Sequence, residues 1–125
     1  MPGLKMDSNT LGRRGEIIAR KFLQNRGYSI IEENYHSRYG EIDIIARDGE
    51  IVVFVEVKLR KNANFAQARE FVTYKKQEKI IKTADIWLSE NQNDYQLRFD
   101  VIEVYTGLAS KKTLVNHIEN AFYLQ

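Results

Sequence analysis

The chain has 125 residues and a formal net charge of +2, and its composition of 43% hydrophobic and 29% charged residues is that of one folded domain. The absence of cysteine excludes disulfides and thiolate metal sites, and the slight excess of positive charge is only a weak indication of a nucleic-acid partner. No apolar run approaches the roughly 20 residues of a membrane span and the first residues lack the apolar segment of a signal peptide, so we expect a cytoplasmic protein.

The first predicted element is a helix. Residues 1–9 show no periodicity and are expected to form a flexible arm, followed by a single domain over residues 10–125. Apolar residues then recur at helical spacing as far as Gly27, which is well placed to end the helix. Glu16 lies at the margin of this stripe, where an acid is usually solvated. The stripe consists of Leu11, Gly15, Ile18, Ala19 and Phe22.

Three β-rich segments follow the helix. Tyr28–Asn34 predicts a strand and Tyr35–Gly40 a polar connection. Glu41–Arg47 and Glu50–Lys58 are then separated by Asp48-Gly49, a dipeptide favoured in two-residue hairpin turns. The two runs therefore predict an antiparallel hairpin.

The register of this hairpin decides which side chains share a face. With Asp48 and Gly49 as the loop, Asp43 pairs with Phe54 and becomes a diagonal neighbour of Glu56 on the same face. Diagonal neighbours have Cα atoms about 7–8 Å apart, so both carboxylates could reach one ion. A three-residue turn would separate them onto opposite faces. The other face of the predicted hairpin is apolar and consists of Ile42, Ile44, Ala46, Ile51, Val53, Val55 and Val57.

Two acids and a lysine on a largely apolar sheet face have two interpretations. Either the face is wet and Glu56 forms an ordinary salt bridge with Lys58, or Asp43 and Glu56 are hard oxygen ligands of a divalent metal. In the second case Lys58 supplies positive charge beside the metal. The run Ile51–Val55 is apolar on both faces, which favours a covered sheet and the metal site.

A basic segment and a second helix follow the hairpin. Arg60 and Lys61 lie at the start of the predicted loop Leu59–Phe65, where they suit a phosphodiester or are simply solvated. Ala66–Asn91 contains the second helix, and Lys76 borders its apolar stripe. A lysine row on the back of this helix is usually solubilising, and it consists of Lys75, Lys79 and Lys82.

The last predicted elements are strands. Gln96–Thr106 alternates as a strand and Thr113–Ile118 indicates one further short strand. The element order αβββαβ, with this extra strand after it, predicts an α/β fold in which a mixed sheet lies between helices. We expect a structural role for Arg98 and Asp100.

Four sequence words together resemble the YraN family, a group of small bacterial proteins. They are GRRGEIIA at Gly12–Ala19, GEIDIIA at Gly40–Ala46, VFVEVKLR at Val53–Arg60 and RFDV at Arg98–Val101. Asp43 with Glu56-Val57-Lys58 also looks like the PD-(D/E)xK signature of nucleases. Ile42 stands where many of these nucleases have proline, which is not a metal ligand. The match runs from about Leu11 to Phe122.

This resemblance implies a restriction-endonuclease-like fold, similar to that of archaeal Holliday-junction resolvases, and a nuclease site. It implies catalytic roles for Asp43, Glu56, Lys58 and Glu16, with the three acids as ligands of Mg²⁺ or Mn²⁺. The residues expected to bind nucleic acid are Arg60, Lys76, Arg13, Arg14 and Lys61.

The corresponding function is a metal-dependent endonuclease that hydrolyses DNA phosphodiester bonds, with branched or structured DNA as the expected substrate. Symmetric cutting of a four-way junction would call for a homodimer. The alternative is a module of nuclease-like fold that binds nucleic acid without cutting it, or that docks onto another DNA-processing protein.

Overall fold

A computed structural model describes residues 8–60, 72–106 and 113–122, with side chains from residue 12 onward. It contains two helices and five strands. In chain order these are α1 (Ser8–Asn25), β1 (Ser29–His36), β2 (Glu41–Asp48), β3 (Ile51–Arg60), α2 (Tyr74–Glu90), β4 (Gln96–Tyr105) and β5 (Leu114–Phe122). No helix in these ranges is long and apolar enough to span a membrane.

The five strands form one sheet in the order β1-β2-β3-β4-β5. Neighbouring strands are antiparallel except β3 and β4, which are parallel and are joined through α2. The predicted α/β class, the mixed sheet and the element order with one further strand are therefore confirmed.

Several predicted boundaries were wrong. Helix α1 already begins at Ser8, so the last two residues of the predicted arm are helical, while residues 1–7 lie outside the described residues. Strand β3 continues through Arg60, which was expected in a loop, because the parallel pairing with β4 extends to the Arg60–Tyr105 pair. The last strand extends to Phe122, since the pairing with β4 extends to that residue.

The sheet is covered on both faces by separate apolar clusters. On the α1 side, Leu23 packs with Val53 and Ile102 among others. On the α2 side, Phe54 contacts the Trp87 ring edge-on, with the ring centroids 5.9 Å apart. Central strands buried on both faces explain why Ile51–Val55 is a continuous apolar run.

The hairpin register differs from the predicted one by two residues. Asp48 pairs with Ile51, so the loop consists of Gly49 and Glu50. Gly49 has a φ of +59°, the conformation required of the first loop residue in a type II′ turn, which glycine adopts without strain. A shift of two residues preserves the side-chain alternation, so the predicted division of the central hairpin residues between the two faces holds.

The alternation of β1 and β2 breaks beside Asp43. Ile44 packs in the α1-side cluster, as predicted, but Ile42 packs in the α2-side cluster and not beside Ile44. Asn34 lies on β1 between the partners of these two residues and has a φ of +53°. The prediction that Ile42 shares a face with Ile44 was therefore wrong, because a left-handed residue reorients both strands at this point.

A buried ionic network connects β4 with β5. The carboxylate of Asp100 is fully buried and accepts two hydrogen bonds of 2.9 Å from Arg98. It also accepts a hydrogen bond from the backbone amide of Asn120 at 3.0 Å and pairs with His117 Nε2 at 2.7 Å. These contacts support the predicted structural role of Arg98 and Asp100.

The partners of His117 determine its tautomer. An ionised carboxylate only accepts hydrogen bonds, so Nε2 carries the proton that points to Asp100. Arg26 only donates, and its Nη1 lies 3.3 Å from Nδ1 of His117, which therefore accepts.

We expect Asp100→Asn to lower the free energy of unfolding by about 3 kcal/mol at pH 7, because it leaves the Arg98 charge without its main partner. Burial alone would raise the pKa of Asp100, but hydrogen bonds from His117 and Arg98 outweigh it and the pKa lies below its ordinary value. This stability is therefore present above about pH 4 and is lost as the pH falls through the folded-state pKa.

Urea unfolding of the wild type and of Asp100→Asn between pH 3 and 7 would test this prediction. The variant should lose less stability than the wild type on acidification. Glu119→Gln, which alters an exposed partner of Arg98 4.0 Å away, should change the free energy of unfolding by less than about 0.5 kcal/mol. If the free energy of unfolding fell equally with pH in the wild type and in Asp100→Asn, the lowered pKa of Asp100 could not be the cause of the fall.

Candidate functional site

The predicted acids meet where the pairing of β2 with β3 ends. The last pair of this ladder is Ile44–Val55, and the next position on each strand carries Asp43 and Glu56. The backbone amide of Val57 donates to Oδ2 of Asp43 at 2.7 Å. A side-chain carboxylate of β2 therefore accepts a hydrogen bond from a backbone amide of β3 immediately beyond the end of this pairing.

Two lysines form ion pairs with Glu56. Its Oε1 is 3.7 Å from Nζ of Lys58 on the same strand and 2.7 Å from Nζ of Lys76. Lys76 is in the first turn of α2, where the side chain of Thr73 caps the helix by accepting a hydrogen bond from the Lys76 amide. The cap fixes the start of α2 and so places this lysine over the sheet.

The site is strongly polar yet poorly exposed. Asp43 is 8% exposed and Glu56 is 5% exposed. Burial and the negative charge of Glu56 raise the pKa of Asp43 to about 8, although the Val57 amide acts in the opposite direction. An acid pair of this kind stabilises a bound cation, because the cation removes the repulsion that the folded protein otherwise contains.

The two lysines respond differently to this environment. Burial and the neighbouring charge of Lys76 lower the pKa of Lys58. Burial also acts to lower the pKa of Lys76, but its hydrogen bond to Glu56 outweighs this effect and the pKa is raised. Lys76 is thus the stronger counter-charge of Glu56.

Glu16 lies near these acids without joining them. Burial raises its pKa, while a hydrogen bond with Asn34 and the charge of Arg13 oppose the shift. Its negative charge also contributes to the raised pKa of Asp43. Within the described ranges, however, no group of three or more acidic or histidine side chains is arranged to hold one metal ion. The role of Glu16 as a third ligand stays a prediction.

Of the residues predicted to bind nucleic acid, Lys76 is within the site and Arg60 is beside it. Arg60 lies on the same strand as Glu56 and pairs with Glu103 of β4, with Nε and Oε2 3.5 Å apart. Arg13 and Arg14 are exposed on α1, and Arg13 lies 3.9 Å from Glu16. Lys61, the fifth residue of this predicted set, lies outside the described residues.

Sequence reasoning missed Asn34 and Glu103. Asn34 reverses the strand alternation and hydrogen-bonds to Glu16. Its signal was an asparagine near the end of a strand, a residue type that adopts left-handed backbone conformations more readily than most. Glu103 is buried beside Arg60, but only the parallel pairing of β3 with β4 reveals this contact.

The residues present fit a hard divalent cation. Mg²⁺ is usually bound by one or two carboxylates with water in its remaining positions, and Asp43 and Glu56 supply two. The raised pKa of Asp43 reflects an acid pair in need of positive charge, which supports this fit. Lys76 supplies such a charge to Glu56 in the metal-free arrangement.

Fold and site together define a small α/β protein with a buried acid–lysine centre at the end of a central strand pair. The chain matches the family described as Uncharacterised protein family UPF0102 over residues 15–104. It therefore belongs to the UPF0102 family, which is the YraN family that its four sequence words resemble.

Relatives in several bacteria match almost their full length. A UPF0102 protein of Caldanaerobacter subterraneus is 47% identical over 121 residues, which cover 94% of this chain and 98% of the relative. One from Vibrio parahaemolyticus is 42% identical over 113 residues, covering 89% and 90%. One from Francisella tularensis is 42% identical over 120 residues, covering 94% and 97%.

We expect Asp43→Asn to stabilise the metal-free protein by about 2 kcal/mol at pH 8. Asparagine can still accept the Val57 hydrogen bond but carries no charge next to Glu56. Because the folded-state pKa is raised, native Asp43 retains a proton that the unfolded chain releases between about pH 4 and pH 8. Wild-type stability should therefore fall with rising pH in this window, and the variant should lack this fall.

Denaturant unfolding in EDTA at pH 5 and pH 8 would measure the difference. Asp94→Asn, the same substitution at an exposed position, serves as the control and should leave stability unchanged. An Asp43→Asn protein that is less stable than the wild type at both pH values would contradict the prediction. It would show that other groups of the folded protein compensate the negative charge of Asp43.

Proposed function

We propose that this protein is a metal-dependent nuclease of restriction-endonuclease-like fold that hydrolyses DNA phosphodiester bonds. The observation that carries the proposal is the buried pair Asp43 and Glu56, joined to the Val57 amide and flanked by two lysines. A structural salt bridge would need only one acid and one base, whereas this site concentrates two acids that repel each other.

The acids would hold Mg²⁺ or Mn²⁺, together with the Val57 carbonyl and with Glu16 directly or through water. The ion would supply Lewis-acid stabilisation of the phosphate and lower the pKa of a water molecule. Asp43 is oriented for this role by the Val57 amide, which fixes Oδ2 and leaves Oδ1 for a second partner.

Lys58 would act on the reacting phosphate. Its lowered pKa results from burial and from the nearby charge of Lys76, and its Nζ is only loosely paired with Glu56 at 3.7 Å. A positive group held in a poorly hydrated site stabilises charge that develops on the phosphoryl oxygens. Arg60, two residues further along β3 and paired with Glu103, is the next basic residue on this strand.

Lys76 favours a second candidate function. Its ammonium forms a 2.7 Å ion pair with Glu56, so the centre already has positive charge without a metal. A protein that used this arrangement permanently would bind nucleic acid through its basic residues and would not cleave it. Measurements of metal binding and of DNA cleavage distinguish the nuclease from the non-cleaving module.

The main test is a cleavage assay with Mg²⁺ or Mn²⁺ on labelled duplex, single-stranded, flap and four-way-junction DNA. The wild type should cut at least one of these DNAs, and Asp43→Asn and Lys58→Ala should each reduce the rate by roughly 10²-fold or more. In this proposal Asp43 holds the metal and Lys58 stabilises the transition state. A higher DNA concentration should therefore not restore the cleavage rate of either variant.

Exposed controls match each substitution. Asp94→Asn and Lys75→Ala should cut like the wild type, which excludes a general effect of charge. Retained binding with no cutting of any DNA in either metal would favour the non-cleaving module. Metal-dependent cutting that survives Asp43→Asn would place the active centre elsewhere.

We further expect Lys76→Met to tighten Mn²⁺ binding by about tenfold. The substitution keeps the length of the side chain but removes the ammonium that competes with a cation for Glu56. Isothermal titration of Mn²⁺ into the protein without DNA measures this effect independently of catalysis. Lys75→Met is the adjacent control, and equal affinities for the wild type and Lys76→Met would mean that the ion does not displace the lysine.

A further inference from the structure

The turn between β1 and β2 is rigidly constructed. The backbone amide of Ser37 donates to the carbonyl of Gly40 at 2.8 Å, and the amide of Tyr39 donates to Oγ of Ser37 at 3.1 Å. Two backbone amides of these four residues thus donate hydrogen bonds within the turn. The exposed members of the turn are Arg38 and Tyr39.

The same turn is fixed to helix α2. Oγ of Ser37 lies 2.7 Å from Oγ1 of the fully buried Thr83, whose own proton is donated to the carbonyl of Lys79 at 2.8 Å. A hydroxyl has one proton, so Ser37 is the donor to Thr83. A Cβ at Gly40 would lie 3.4 Å from Cβ of Lys79, an ordinary van der Waals distance, so turn and helix lie close together at this point.

Two cations share the ring of Tyr39. The Cζ atom of Arg38 is 4.9 Å from the ring centroid, and its Nη2 donates to the tyrosine hydroxyl at 2.8 Å. Nζ of Lys82, from α2, is 5.3 Å from the same centroid. The aromatic ring attracts both charges and holds them at the surface.

Neither cation forms an ion pair with an acid in the described part of the chain. Among the side chains that the structure describes, no carboxylate lies within 4.0 Å of Arg38 or Lys82. Two positive charges around one ring repel each other, and an anion between or above them would remove that repulsion. Phosphate suits such a pair because it accepts hydrogen bonds from both arginine and lysine.

The position of this cluster identifies the anion. Tyr39 precedes Asp43 by four residues, so their Cα atoms are at most about 14 Å apart. Lys79 of the predicted lysine row also packs against the turn. The distance between Tyr39 and Asp43 allows a strand whose scissile phosphate lies at Asp43 and Glu56 to present another of its phosphates to Arg38 and Lys82.

We propose that Arg38, Tyr39 and Lys82 form a second phosphate-binding site, which holds the nucleic-acid backbone a few nucleotides from the catalytic centre. The site rests on the proposed nuclease function and extends it to the path of the bound strand. Tyr39 acts as a positioning residue that keeps both cations in place.

The test uses Asp43→Asn as the parent protein, so that DNA binding is measured without cleavage. Fluorescence anisotropy gives the Kd for a labelled single-stranded 20-mer and a four-way junction between 50 and 200 mM NaCl. Adding Arg38→Ala and Lys82→Ala should weaken binding about tenfold at the lower salt concentration. The slope of log K against log salt should become shallower by about 0.7 to 0.9 for each phosphate that the variant no longer neutralises.

A matched control removes the same charge elsewhere. Arg47 lies on the ring of Tyr95 with its Cζ 5.2 Å from the centroid, at the opposite end of β2, and Lys21 is exposed on α1. Arg47→Ala with Lys21→Ala should retain most of the parent's affinity and its salt slope. Tyr39→Leu should weaken binding by an intermediate factor, because both cations remain but are no longer held.

The outcomes separate the two proposals. If the parent binds neither DNA, the proposed function fails. If the parent binds and the Arg38/Lys82 variant, folded by circular dichroism, binds equally well with the same slope, the second phosphate site is overturned while the nuclease proposal stands. An equal loss in the Arg47/Lys21 control would also overturn it, since the effect would then be one of net charge.

Discussion

The hydrogen bond from the Val57 amide to Asp43 Oδ2 is the contact on which the site depends. Strand β3 pairs with β4 over its whole length, whereas its pairing with β2 ends at Ile44–Val55. Beyond that pair, an amide of β3 would lose its ladder partner, and a buried amide without a partner is costly. The carboxylate of Asp43 accepts the hydrogen bond of this amide in place of a backbone carbonyl of β2. The same bond stabilises the end of the pairing and fixes the orientation of a buried acid.

The strand alternation explains how acids from different parts of the chain approach this point. Asn34 adopts a left-handed conformation, and the faces of β1 and β2 change there, so Ile42 lies on the α2 side while Ile44 lies on the α1 side. Glu16 approaches from α1 and Lys76 from α2. A regular sheet would separate these groups by its own thickness. The local irregularity brings their charges within range of one another.

The extent of successful sequence prediction follows from the range of each interaction. Period-two alternation and an apolar run were sufficient to place Asp43 and Glu56 on adjacent strands. The predicted register was wrong by two residues, and because side chains alternate with period two, the central hairpin residues still lie on the predicted faces. The turn itself was misplaced because glycine with a positive φ can occupy either loop position of a two-residue hairpin. The contact of Lys76 with Glu56 depends on how α2 docks after a crossover, which no local pattern encodes. The role of Asn34 was equally inaccessible, since a single residue's φ leaves no periodic signal.

The buried ionic groups around Asp100 and Asp43 differ in charge balance. Asp100 is fully buried, but Arg98, His117 and a backbone amide satisfy it and its pKa is lowered. Asp43 is almost as buried, yet its pKa is raised by burial and by the negative charge of Glu56. A fold gains stability from the first arrangement and loses it in the second. A cation bound between Asp43 and Glu56 would offset this cost, and this offset connects the geometry of the site with the proposed function.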